Sequence, residues 1–359
     1  MAGYSCGTDS LTINNFNFSL NLYLDERFTK PKAIYHQKNN MKTNTSLQKR
    51  SAFFSFSSLA GSLTLVLIFI VAFSSCIKDP AGGGGTGGGG GTGGGGGTGP
   101  LAERIILDTA YGSAPQQKMD IYLPAGRTTG TKVIVLIHGG GWEAGDKSEM
   151  NYYKNLLRAK WPEAAIANIN YRLASNPNNI HHTQIMADIT AAVNIMINNK
   201  SSFVVSDTLT MVGASAGAHL AMLYTYAHNT NGYVRAVADF YGPAKLSDWS
   251  WYNTYNIFMG RAISDLLIQF NGAPWDVPLY DSNSPYSVAT AQTKPTIIFH
   301  GTADVIVPLY QSQQLRARLN TLGVPNEYYE YFLDGHGFNT TNTEDAMNKT
   351  VAFLKAHLR

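Results

Sequence analysis

The sequence predicts an α/β domain built on a mostly parallel sheet with helices on both faces, and three observations carry that reading. Residues 132–138, Lys-Val-Ile-Val-Leu-Ile-His, form an unbroken apolar run rich in β-branched residues, as in a strand buried on both faces. From about residue 101 onward such runs alternate with segments of helical periodicity, which joins strands in parallel through helical crossovers. Between one run and one helical segment stands Gly213-Ala214-Ser215-Ala216-Gly217, whose glycines mark a tight strand-to-helix turn.

In chain order, residues 117–123 alternate as an edge strand should, and residues 132–138 make the strongest interior strand. Residues 149–160 read as a helix, 164–170 as a short strand and 181–198 as a long helix. Residues 208–212 form the strand before the pentapeptide, and 218–227 the helix after it. Further strands are expected at 236–241, 296–300 and 327–332, and helices at 310–322 and 343–357. Residues 245–294 lack clear alternation and fall between two strands, where a small cap insertion is expected. Ligands of such sheets bind beyond the carboxyl ends of the strands, so chemistry is expected in the loops that follow strands.

Size and charge narrow the function classes. With 359 residues, 44% hydrophobic and 14% charged, the chain can bury one large core. The net charge of +3 comes from the leader: residues 1–75 hold seven Lys/Arg against three Asp/Glu, whereas the remainder holds 20 against 21. No nucleic-acid partner is therefore expected. Cys6 and Cys76 are the two cysteines, which excludes a disulfide framework or a cysteine zinc site after residue 76. No metal and no cofactor are expected.

The first hundred residues read as address and spacer. Lys42, Lys49 and Arg50 precede an apolar run at 63–73, closed by Ser74-Ser75-Cys76. A basic segment, a short apolar run and small residues make a secretory signal, and the run is short of the roughly 20 residues a spanning helix needs. Cys76 after small residues resembles the lipobox of bacterial lipoproteins, where the cysteine is diacylated and becomes the first mature residue. Phe73 departs from that pattern, and a plain signal peptide or an uncleaved anchor is the alternative. Residues 1–40, Asn-rich and aperiodic, read as an over-extended, disordered start, and 41–75 as the lipoprotein-type signal peptide. Residues 76–100 are a Gly/Thr-rich tether, flexible because glycine runs have no side chains to bury. Residues 101–359 form the folded domain. Export across the inner membrane and anchoring through Cys76 to the outer membrane, on its periplasmic or surface face, are the expectations that follow.

The chemistry-bearing residues follow strands. Gly213-Ala214-Ser215-Ala216-Gly217 fits G-x-S-x-G, in which a strained turn lifts a serine hydroxyl clear of the sheet at a helix N-terminus. Alone the pattern is weak, because a glycine-rich chain meets it by chance. His138-Gly139-Gly140-Gly141-Trp142 follows the strongest strand, and its glycines let backbone amides approach a ligand. With both motifs in this order, residues 104–359 resemble the α/β-hydrolase superfamily, in particular the esterase/lipase-like carboxylesterase branch with an H-G-G-G-W loop. The resemblance implies the α/β-hydrolase fold, Ser215 as nucleophile, and an oxyanion hole made by the amides of Gly139, Gly140 and Ala216. It also identifies the partners of the serine. His300-Gly301-Thr302-Ala303-Asp304-Val305-Ile306-Val307-Pro308 is similar to the family segment that carries the acid, here Asp304. Asp334-Gly335-His336-Gly337-Phe338 is similar to the segment that carries the base, here His336.

Rival readings stand beside these. Asp334, two residues from His336, reads as a turn former or cap. His138 and His300 end strands and read as loop fasteners. His181-His182 has no acidic or cysteine partner at ligand spacing. Asn170-Tyr171-Arg172 and Asp188 read as support for the oxyanion region. The aromatic residues of the expected cap, with Trp249 and Trp251 foremost, either line an acyl or sugar pocket together with Trp142 or form the cap's own core. An open site for short-chain or carbohydrate-linked esters is expected. Amide hydrolysis, as by a peptidase or an arylformamidase, and a catalytically dead binding protein on the same scaffold are the alternatives.

Overall fold

The computed structural model describes residues 99–358. The expected start at 1–40, the signal peptide at 41–75, Cys76 and nearly all of the tether lie outside the described residues. The described chain runs β1 (Arg104–Ala110), β2 (Lys118–Leu123), β3 (Val133–Ile137), α1 (Asn151–Lys160), β4 (Ala165–Ile169), α2 (His182–Asn198), α3 (Lys200–Phe203), β5 (Leu209–Ala214), α4 (Ala216–Leu223) and β6 (Val234–Phe240). A cap follows: α5 (Trp249–Tyr252), β7 (Ile257–Phe258), β8 (Arg261–Ala262), α6 (Ile263–Asn271), α7 (Val277–Ser282) and α8 (Pro285–Val288). The chain then returns to the sheet with β9 (Thr296–Gly301), α9 (Tyr310–Thr321), β10 (Asn326–Tyr331) and α10 (Thr340–His357).

Eight strands form one sheet in the order β1-β2-β4-β3-β5-β6-β9-β10. Every pair from β4 to β10 is parallel, and β2 runs antiparallel to both of its neighbours. Alternate residues of β3 serve opposite faces. Val133, Val135 and Ile137 join the core beneath α2, α4 and α9, whereas Ile134 and Leu136 join the core beneath α1 and α10. That double burial is why the strand reads as an unbroken apolar run rather than an alternating one. In α2 the buried positions Ile185, Ile189, Ala192, Val193 and Met196 recur at helical spacing and form its sheet-facing stripe.

The predicted edge strand is corrected. β2 is second in the sheet and five of its six residues are buried; the outer strand is β1. β1 escaped the pattern because it is mostly exposed and its register shifts between Ile106 and Thr109, which breaks the period of two. The helix after Ser215 also differs: α4 ends at Leu223 and a π-turn, Tyr224–His228, completes the segment. Among the described residues no helix is long and apolar enough to cross a membrane.

The strand registers set the two ends of the sheet apart. Arg104 pairs with Leu123, and β2 meets β4 with Tyr122 opposite Ile166, so the chain enters the sheet at the edge where β3, β4 and β5 begin. Ser215 follows the opposite, carboxyl ends.

Candidate active site

Backbone sterics build the turn at Ser215. A Cβ at Gly213 would lie 2.3 Å from the Gly217 carbonyl oxygen, and one at Gly217 would lie 2.2 Å from that of Ile137. Both glycines are therefore demanded by close backbone approach. Ser215 itself has φ 55° and ψ −124°, a region costing about 1–3 kcal/mol for an L-residue. Its amide donates to the Phe240 carbonyl at 2.9 Å, and its carbonyl accepts from the Ala218 and His219 amides at 3.0 and 3.1 Å. The strain is thus held from both sides, and the amide of Ala216 opens α4 without an intrahelical acceptor.

Three loops bring the predicted partners together. His336 Nδ1 donates to Asp304 Oδ2 at 2.7 Å, which leaves Nε2 to accept from Ser215 Oγ, also at 2.7 Å. The other Asp304 oxygen accepts from the amides of Ile306 and Val307 at 2.8 and 3.0 Å. His300 Nε2 donates to the Val307 carbonyl at 2.8 Å and lies 3.2 Å from Asp304 Oδ2, while its Nδ1 accepts from Ser312. Burial pushes the Asp304 carboxyl up, but hydrogen bonds from His300 and His336 outweigh it and hold the group well below the usual carboxylate range. Asp304 is thereby kept charged where it can stabilise a histidine cation. The acid and base loops are joined directly, since the Ala303 amide donates to the Asp334 carbonyl at 2.9 Å and Leu333 N donates to Thr302 Oγ1 at 2.9 Å.

The rivals take the supporting positions assigned to them. The Asp334 carboxylate accepts from Asn339 and Asn342, both at 2.8 Å, at the start of α10. His138 is fully buried, stacks on Tyr171 with ring centroids 4.4 Å apart, and is depressed to about 4 by burial. Tyr171 donates to the His138 and Gly139 carbonyls at 3.2 and 3.3 Å, so it steadies the glycine loop. Arg172 and the buried Asp188 form a partly buried ion pair at 2.6 Å beside it. Among the described residues no group of three or more His, Cys, Asp or Glu side chains is arranged to hold a metal.

The glycine loop lies against the serine. A Cβ on Gly139 would sit 3.2 Å from Ser215 Cβ, and Gly140 and Gly141 adopt φ of 100° and 58°. The carbonyl of Gly140 accepts from Glu143 and Ala144, which folds the loop back and leaves the Gly139, Gly140 and Ala216 amides with no acceptor among the described residues. Beside them is a narrow apolar cavity of about 20 Å³, lined by Gly141, Trp142, Ser215, Trp251, Phe258 and Leu266 among others. It is narrower than the open site expected, because the cap hairpin lays Phe258 within 5.9 Å of the His336 ring. A larger cleft of about 570 Å³, lined by Glu103, Tyr122, Arg158 and Ala164 among others, lies at the other end of the sheet, away from Ser215.

Of the three predicted substrate-binding tryptophans, two line this cavity and one does not. Trp142 donates from Nε1 to His219 Nδ1 at 3.1 Å and stacks on Phe270, and Trp251 donates to the Ile306 carbonyl at 2.8 Å. Trp249 does not line this cavity: it is 55% exposed and stacks on Tyr252. Positions 249 and 251 stand about half a turn apart in α5, and no periodicity in so short a helix foretells which faces inward. Phe258, one of the cap aromatics weighed as pocket lining, does line the cavity, whereas Tyr241, whose ring meets His336 edge-on at 5.0 Å, is a residue the sequence reading missed. His219, four residues after Ser215, ties the glycine loop to the cap by accepting from Trp142 and donating to the Asn283 carbonyl at 2.7 Å.

With this geometry in view, the comparisons are specific. The BD-FAE family profile matches residues 119–319, more than half of the chain. The isoprenylcysteine alpha-carbonyl methylesterase ICME of Arabidopsis thaliana is 24% identical over 250 residues, covering 64% of this chain and 56% of that protein. The kynurenine formamidase of Danio rerio is 27% identical over 118 residues, covering 33% of this chain and 38% of that protein. Among solved structures, a truncated carbohydrate esterase from gut microbiota superposes with a TM-score of 0.59 at 22% identity, covering 71% of this chain and 98% of that one. The chain spans about half the length of the Arabidopsis relative. Its sheet order and the glycine-built turn at Ser215 are those of an α/β-hydrolase fold, and the chain belongs to the BD-FAE family.

Proposed function

We propose that the protein is a serine carboxylic-ester hydrolase that works through an acyl-enzyme on short-chain or carbohydrate-linked esters. The observation that carries this reading is the continuous Ser215–His336–Asp304 relay, two contacts of 2.7 Å, beside amides that have no acceptor among the described residues. His336 Nε2 takes the Ser215 proton as Oγ attacks the ester carbonyl carbon. The carbonyl electrons move to oxygen, and the amides of Gly139, Gly140 and Ala216 donate to that oxyanion, each such donor being worth about 2.7–4 kcal/mol in the transition state. As the intermediate collapses, the alcohol leaves with the proton held by His336. Water, deprotonated by the same nitrogen, then attacks the acyl-enzyme and releases the acid. Asp304 holds the imidazole tautomer and balances its charge throughout.

The narrow cavity supports a short acyl group. About 20 Å³ suits one methyl-sized group, given that a water-sized probe takes roughly 10–15 Å³. The bulk of the substrate then lies on the alcohol side, as in an acylated sugar, and the carbohydrate esterase likeness agrees with that. Incubation with a fluorophosphonate probe and with p-nitrophenyl acetate tests the reading. Wild type is expected to label and turn over, and Ser215→Ala to do neither; equal labelling of the two proteins sinks the proposal and leaves the dead-scaffold alternative. The formamidase relative favours a second reading, hydrolysis of an N-formyl anilide by the same residues. A ratio of kcat/KM on an aryl acetate and on its formanilide analogue decides between them.

For the leader we propose secretion and a lipid anchor on Cys76. Chain entry at the end of the sheet opposite Ser215 suits such a tether, because the attachment point then lies away from the site. Palmitate labelling is expected in wild type and not in Cys76→Ala; label retained in the variant removes the anchor.

A further inference from the structure

One carboxylate ties the glycine loop to the cap. Glu143, next after Trp142, accepts at Oε2 from Arg261 Nη1 at 2.6 Å and from Gln269 Nε2. Gln269 Nε2 also donates to the Ala174 carbonyl at 3.0 Å, and the Ala174 amide donates to the Trp142 carbonyl at 2.8 Å. At its other end the Glu143 amide donates to the Gly140 carbonyl at 3.2 Å, inside the loop that lies against Ser215. The side chain of Glu143 is 13% exposed, so few waters compete for it.

The partner residues belong to the segment that covers the site. Arg261 pairs with Phe258 across the β7–β8 hairpin, and Phe258 stands over His336 and would touch a Cβ placed on Gly141 at 3.2 Å. Gln269 lies in α6, whose Leu266 lines the acyl cavity. The loop that would donate to the oxyanion and the hairpin that roofs the substrate are therefore joined through one acceptor. Arg261 is 38% exposed, so water screens its side of the pair and reduces what the pair contributes to folding. Gly139, Gly140 and Gly141 are without side chains that could pack the loop in place, so its position depends on such outside ties.

We infer that Glu143 is a positioning residue: its clasp on Arg261 and Gln269 holds the glycine loop in donor geometry and makes the oxyanion hole depend on a seated cap. This rests on the proposed ester hydrolysis and adds to it a residue outside the family's loop motif. It also assigns the cap a part in catalysis, since a hairpin lifted off Glu143 releases the loop.

Steady-state kinetics on p-nitrophenyl acetate test it with the full chain. Because the oxyanion forms only during reaction, Glu143→Ala and Arg261→Met are each expected to lower kcat by about tenfold with KM changed less than about twofold, as misplaced donors lower kcat. The double variant is expected to be no worse than Glu143→Ala, because both remove one clasp. The swapped pair Glu143→Arg with Arg261→Glu is expected to recover part of the loss, which a merely structural role would not produce. Glu143→Gln, which keeps size and an acceptor oxygen, serves where the alanine variant fails to fold and is expected to fall between it and wild type. A folded Glu143→Ala with unchanged kcat, or one altered only in KM, overturns the clasp. A wild type without Ser215-dependent turnover overturns instead the hydrolase reading on which it rests.

Discussion

The loops at the carboxyl ends of β3, β5, β9 and β10 and the cap between β6 and β9 are built on different principles. In the loops, position is set by backbone sterics and short hydrogen bonds: glycines where a Cβ would lie about 2.2–2.3 Å from a carbonyl, and an aspartate held by two amides and two histidines. In the cap, position is set by apolar packing of α6 and by a few polar ties to the loops. The first arrangement tolerates almost no change and defines a reaction. The second can be repacked and defines what reaches the serine.

Substitutions should separate the two regions sharply. The largest effect is expected for Ser215→Ala, a loss of roughly 10⁶-fold in kcat on an aryl acetate, with Asp304→Asn losing about 10⁴-fold. Near-wild-type turnover in either variant would break the division. Gly217→Ala should fail to fold or lose several kcal/mol in urea titration, because the Ile137 carbonyl 2.2 Å from the new Cβ is backbone and cannot step aside. In the cap, Phe258→Ala or Trp251→Ala should enlarge the cavity and shift kcat/KM from acetate toward butyrate by about 10-fold, the scale of one or two methylenes in an apolar pocket. An unchanged chain-length preference in both would remove the acyl-pocket assignment.

A pH series sharpens the comparison where the regions meet. His219, fully buried between Trp142 and Asn283, is depressed to about 4 by burial. Unfolded, it binds a proton below its ordinary value near 6.5. Between roughly pH 6.5 and 4 the unfolded chain therefore holds the extra proton, and stability is lost as pH falls. Wild type should lose urea resistance relative to His219→Gln from pH 7 to pH 5, and parallel curves would show that the ring is not neutral in the fold. The smallest effect belongs to Trp249→Ala. With its ring 55% exposed and outside the cavity lining, both stability and acetate turnover should stay near wild type, stability within about 0.5 kcal/mol.

Legibility in the sequence followed the same division. Ser215, Asp304 and His336 were recognisable because each sits in a short segment after a strand, where a few residue types must stand at fixed spacing. The parallel core was recognisable because strands buried on both faces lose their alternation. The outer strand β1 was not, since exposure and a register shift removed its period. In the cap, α6 does carry the signal: Ile263, Leu266, Leu267 and Phe270 recur at helical spacing, but short helices and a two-residue hairpin around it obscure the pattern. Glu143 and Arg261 stand 118 residues apart, and no local rule links them.

By itself the sequence determined the sheet, the order of the motifs and the three residues of the relay, because steric and chemical demands there are local and few residue types meet them. The tertiary structure alone decided which tryptophans reach the serine, how wide the cavity beside it is and which distant residues meet the glycine loop. Those depend on the side on which a cap of short elements packs, which is a balance of apolar contacts among residues distant in sequence.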